Sequence, residues 1–134
     1  MDVPVNYLAV VIVALVNYAI GSIWYGVLFR KPWMKLAGMS EMKVTAVSVV
    51  VALVGALFTS YILAHAVIFA SAYLKTSGVG AGLTTGFFNW IGFIAPVTIG
   101  VVIYEKKPAM YWVLNNAYWL VSLLIMGAIL SVWR

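Results

Sequence analysis

Long apolar runs separated by short polar stretches set the pattern of this chain. Residues 5–29, 44–74, 81–104 and 109–133 are mostly Val, Leu, Ile, Ala, Gly and aromatics, and nearly all the charged residues fall between or beyond them. A membrane-crossing helix needs ~20 mainly apolar residues to span a hydrocarbon core of ~30 Å. All four runs meet that length. The pattern therefore predicts an all-α polytopic membrane protein, a four-transmembrane-helix bundle forming a single transmembrane domain over residues 1–134.

The runs differ in detail. The first opens after Asp2 and Pro4, residues suited to a helix start. At ~1.5 Å per residue the second would cover ~46 Å, more than the membrane, so it should tilt strongly or project from the lipid. Ser40 is the expected N-cap of that second helix, with Glu41 in its first turn. In the segment 30–43, Pro32 can open a short helix and Gly38 can end it, placing Trp33, Met34 and Leu36 at the headgroup boundary. The stretch KTSGVG, residues 75–80, reads as a flexible turn. Pro96 predicts a kink or break in the third span.

Within that third span, GLTTGFFNWIGFIAP, residues 82–96, stands out as the stretch against which the other helices are expected to pack. Gly82 and Gly86 lie four apart on one face and allow a neighbouring backbone to approach. Gly21, Gly92, Pro96 and Gly127 complete the expected helix-packing positions. Four spans expose much of their surface, and the small-residue faces exceed what one bundle needs, so a homo-oligomer is expected.

Composition agrees with lipid as the solvent. The chain is 66% apolar and 8% charged, against roughly 25% charged in soluble domains. The net charge of +5 does not point to nucleic acid, because the cations sit in short loops. Six of the eight Lys and Arg residues fall in loops 30–43 and 105–108, leaving Lys75 and Arg134 on the other side. The positive-inside rule then makes those two loops cytoplasmic and puts both termini outside, the expected location being the cell (inner) membrane. Cysteine is absent, which excludes a disulfide, a thiolate metal site and a cysteine nucleophile.

The blocks NYAIGSIWYGVLFRKPWMKLAG, WIGFIAPVTIG and YEKKPAMYWVLNNAYWLVSLLIMGAILSVW resemble the small membrane proteins grouped as domain of unknown function family 1761. The resemblance covers most of the chain and is weakest in the second span. It implies a four-span bacterial membrane protein, without an established activity and without assigned site residues.

Candidate chemistry is limited to polar side chains inside the spans. By depth they fall in three layers: His65 and Asn89 in the outer half, Asn17 near the midplane, and Asn115 and Asn116 in the inner half near Trp24 and Tyr25. Trp90 and Trp119 lie deeper than the interfacial aromatics and are expected to pack on glycine faces or wall a pocket. One reading joins His65, Asn17, Asn89, Asn115, Asn116, Trp90 and Trp119 around one polar intramembrane cavity. The other makes each amide a packing contact, and for the asparagines that second reading is preferred. For His65, the only histidine, both readings stand. No intramembrane carboxylate, cysteine or histidine pair is present, so no enzyme, metal site or cofactor is expected. The leading function is transport or binding of a small solute or ion; the alternative is an accessory or scaffold subunit docking another membrane protein.

Overall fold

A computed structural model describes residues 2–134, and within them the chain is helical with no strand. Helix α1, Tyr7–Ile23, continues through a π-helical turn, Trp24–Leu28. A short α2 follows, Arg30–Ala37, then α3, Ala46–Leu74, and α4, Gly78–Phe93. A 3-10 turn, Val97–Ile99, leads into α5, Gly100–Ile103, and α6, Ala109–Val132, ends the chain. Tyr7–Leu28, Ala46–Leu74 and Ala109–Val132 are each long and apolar enough to cross a membrane. The pair Gly78–Phe93 and Val97–Ile103 is bent by 41° and makes a fourth crossing when taken as one span. This is the architecture of a multi-pass membrane protein, with the bend at Pro96 where the sequence places it.

The helix ends correct several sequence expectations. Asn6, not Asp2 or Pro4, caps α1, its Oδ1 accepting from the Ala9 N–H at 3.1 Å. Ser40 and Glu41 lie outside helix, and α3 starts after Thr45. There the Thr45 hydroxyl accepts from Ser48 N–H at 3.1 Å and the Ser48 hydroxyl accepts from Thr45 N–H at 2.9 Å. Such reciprocal bonds satisfy two donors at the helix start that have no partner within the helix. The expected turn 75–80 is shorter than read, since Gly78–Gly80 already belong to α4. Gly38 does end α2, in the left-handed region at φ 73° that glycine adopts without strain.

Packing places α6 at the centre, a role the sequence suggested for α4. Helix α6 touches α1, α2, α3, α4 and α5, whereas α4 packs chiefly on α6 and more lightly on α3. The α4–α6 seam is a backbone-to-backbone contact. A Cβ placed on Gly82 would overlap the Gly127 carbonyl, one on Gly127 would overlap the Gly82 carbonyl, and one on Gly86 would overlap the Leu123 carbonyl. Gly92, expected to pack in the same way, has nothing within 4 Å of such a Cβ and faces outward. Pro96 is likewise exposed, its contribution being the bend itself.

A core of Ala9, Val10 and Val13 from α1, Leu63, Ala64 and Val67 from α3, and Leu123, Met126 and Leu130 from α6 fills the half of the bundle away from loop 30–43. Ser60, fully buried, donates to the Val10 carbonyl at 2.8 Å and pins α3 to α1 there. Ser60→Ala should lower stability by about 1 kcal/mol in mixed-micelle unfolding, the scale of an interhelical bond in lipid. At the same end Arg134 donates to the Ser71 hydroxyl at 2.7 Å and to the Ser131 carbonyl at 3.0 Å, joining the last residue to α3.

Candidate functional site

Beyond Asn17 and Ala56, towards loop 30–43, α1 and α3 part and leave a cleft of about 580 Å³. Its walls are the second half of α1 with the π turn, and the first half of α3. Tyr118 and Trp119 of α6 line it between them. Small residues open the walls among the aromatic side chains of Tyr18 and Tyr25: Gly26 on one side and Ala52 and Gly55 on the other. A Cβ at Gly26 or Gly55 would meet nothing within 4 Å. These glycines therefore widen a space, in contrast with Gly82, Gly86 and Gly127, which close one.

Polar groups are few and specific. The Tyr118 hydroxyl donates to Asn17 Oδ1 at 3.0 Å, and Asn17 is only 3% exposed although it lines the cleft. Gly21 makes this pair possible, since a Cβ there would stand 3.0 Å from the Tyr118 oxygen. Ser22, Ser48 and Thr59 add hydroxyls, all spent locally: Ser22 and Thr59 bond the Tyr18 and Gly55 carbonyls of their own helices, and Ser48 bonds the Thr45 carbonyl. The rest of the lining is apolar or aromatic. Such a site suits a small molecule with an apolar body and one hydrogen-bonding group.

The π turn aims the next polar pair. Phe29 N–H bonds Trp24 O at 2.9 Å, the wider register of this turn, a local defect often found where a helix serves a site. Tyr25, inside it, donates to Asn115 Oδ1 at 2.7 Å. The Tyr25 ring meets Tyr118 at 5.1 Å and Trp33 of α2 at 4.9 Å, both edge-on, and Tyr118 meets Trp119 at 5.0 Å. Tyr25 and Trp119 form a partition. On its far side lies a smaller cavity of about 220 Å³, lined by Thr98, Tyr111, Trp112, Asn115 and Asn116.

Asn116 belongs to a brace at the helix break. Its Nδ2 donates to Thr98 Oγ1 and to Trp112 O, both at 3.0 Å, and Trp112 Nε1 donates to Thr98 Oγ1 at 3.0 Å. The Thr98 hydroxyl in turn donates to Ile94 O at 2.8 Å. Trp90 reaches from α4 to the same brace, its Nε1 donating to Asn116 O at 2.9 Å.

Of the residues singled out by sequence, Asn17 and Trp119 meet at the cleft, and Asn115, Asn116 and Trp119 meet at the smaller cavity. His65 and Asn89 join neither. His65 Nδ1 bonds Tyr61 O of its own helix at 2.8 Å, and its ring lies between the outward-facing Tyr61 and Phe69. Asn89 Nδ2 donates to Thr85 O at 2.8 Å, also within its own helix. The single polar cavity joining His65, Asn89 and Asn17 is therefore not what the fold builds, because α3 turns His65 away from α4 and α6. Tyr118 and Thr98, the hubs of the two polar clusters, were not singled out. The signal for Tyr118 was its place one turn from Ser122 and Asn115 on a single face of α6.

The chain belongs to the family described as protein of unknown function (DUF1761), whose model matches residues 8–131. No curated protein and no solved structure matches it.

Proposed function

We propose that this membrane protein binds a small lipid-soluble molecule, apolar over most of its surface and carrying one hydrogen-bonding group, in the cleft between α1 and α3. The observation that carries this reading is the Asn17–Tyr118 pair, buried at the base of a mostly apolar space opened by glycines, whose serine and threonine hydroxyls are bonded locally. A buried amide and phenol fix the orientation of a ligand that apolar walls alone would hold loosely. The polar groups occur as separate pairs rather than a continuous line, which favours an amphipathic ligand over a hydrated ion. The role is that of a binding protein or carrier with no catalytic step. Loops 30–43 and 105–108 face the cytoplasm in this reading, by the excess of cations they hold.

The test fills the cleft without touching the packing. Gly55→Leu places a side chain into open space on the α3 wall. Organic extracts of the purified wild-type protein should contain a small apolar compound that falls at least ten-fold in the Gly55→Leu extract, with bulk lipid unchanged. Identical extracts from two equally stable proteins would sink the reading.

A further inference from the structure

Apart from the cleft, one end of the molecule concentrates charge. Arg30, Lys31, Lys35, Lys43, Lys106 and Lys107 stand there against only Glu41 and Glu105, so six cations and two carboxylates leave four positive charges. The fold gathers them. Lys107 Nζ donates to Ala37 O at 3.1 Å, tying loop 105–108 to the last turn of α2, and lies 5.8 Å from the centre of the Tyr111 ring. This bond places a cation on the carbonyl end of α2, where the helix dipole favours it. At the same time Trp33 seats α2 edge-on against Tyr25. Helix α2 is thus held at two points. Its Trp33, Met34 and Leu36 are half-buried, while Arg30, Lys31 and Lys35 are exposed.

We infer that this end of the protein is a docking surface for anionic phospholipid headgroups of the leaflet it faces, with α2 presenting the cations. Charge complementarity selects that occupant. Helix α2 directly follows a membrane-crossing helix, which puts it at headgroup depth, and its amphipathic split matches a helix lying along the interface. A zwitterionic headgroup offers the surface no net attraction. An anionic one gains about five-fold in affinity for each nearby Lys or Arg. Because the helix is pinned before the lipid arrives, little of that gain is lost to ordering.

The experiment is a titration of the full-length protein in neutral detergent with phosphatidylglycerol or phosphatidylcholine of the same chains, read by native mass spectrometry. Phosphatidylglycerol should bind preferentially, and 0.5 M salt should abolish the preference. A triple variant, Arg30→Gln with Lys31→Gln and Lys35→Gln, should weaken phosphatidylglycerol on the order of 100-fold. It changes only exposed side chains, and an unchanged melting temperature will certify its fold. Lys75→Gln, at the opposite end, should bind as the wild type does. Equal binding of the two lipids, or a triple variant that titrates like the wild type, would overturn the inference. So would displacement of phosphatidylglycerol by equimolar inorganic phosphate, which would mark a free-anion site instead of a leaflet contact.

Discussion

Gly82→Ala should part α4 from α6 and cost ~3 kcal/mol or more of stability, measured by unfolding the purified protein in mixed micelles. The added methyl would occupy the position of the Gly127 carbonyl and crowd Ser131 Oγ. Backbone cannot rotate away as a side chain can, so the helices must separate along the whole seam that Gly82, Gly86 and Gly127 form. In lipid that seam is held mainly by dispersion contacts at close range, which fall off steeply with separation. Helix propensity works the other way, since alanine is favoured over glycine by ~1 kcal/mol in a helix interior. The steric term is larger, so the net sign is destabilising. Gly127→Ala should do the same through the Gly82 carbonyl, and the double variant should cost less than the sum, because the first methyl has already opened the gap. Gly92→Ala is the control. With nothing within 4 Å of its Cβ it should be as stable as the wild type, or more stable by up to ~1 kcal/mol from helix propensity. A Gly82→Ala protein as stable as Gly92→Ala would mean that the seam does not hold the bundle.

That pair of glycines also shows how far the sequence could be read. The spans, the break at Pro96 and the packing face of Gly82 and Gly86 were legible, because apolar length, a missing N–H and a four-residue spacing act locally. What a glycine faces is not local. Gly82 and Gly92 look alike as letters, yet one meets a backbone and the other open space. The cleft is built from such absences, at Gly26, Gly55 and Ala52, so no residue announces it. His65 illustrates the same limit. Its depth follows from the rise per residue, but its direction depends on how α3 is rotated, and a helix apolar all round carries no stripe to fix that rotation. Tyr118 reads as one more membrane aromatic until Gly21 and Asn17 are seen beside its hydroxyl. Ser40 reads as the cap because an acidic residue follows it, whereas the actual capping box pairs Thr45 with Ser48, a hydroxyl in place of the usual carboxylate.

Asn116→Ala should cost ~2 kcal/mol and loosen the segment after Pro96, the second large effect expected. The argument begins with the break. A bend inside lipid frees carbonyls that no water can satisfy, so side chains must reach them. Here Trp112 Nε1 reaches Ala95 O at 3.3 Å and Thr98 Oγ1 at 3.0 Å, and Thr98 Oγ1 adds a bond at 2.8 Å to Ile94 O, which also accepts the Thr98 N–H. Asn116 holds this arrangement onto α6 by donating to Thr98, and at 3% exposure it has no solvent to replace that partner. Thr98→Val keeps the shape and removes the hydroxyl. Trp112 and Asn116 each retain a second acceptor, Ala95 O and Trp112 O, so the cost should be smaller, ~1 kcal/mol. If the two residues act as one brace, the double variant should cost less than the sum by ~0.5 kcal/mol or more. Hydrogen exchange should rise at residues 97–103 in both single variants and stay unchanged in the core around Val13 and Met126. Additive costs, or exchange rising equally throughout, would show that Asn116 supports the fold generally and does not brace the bend.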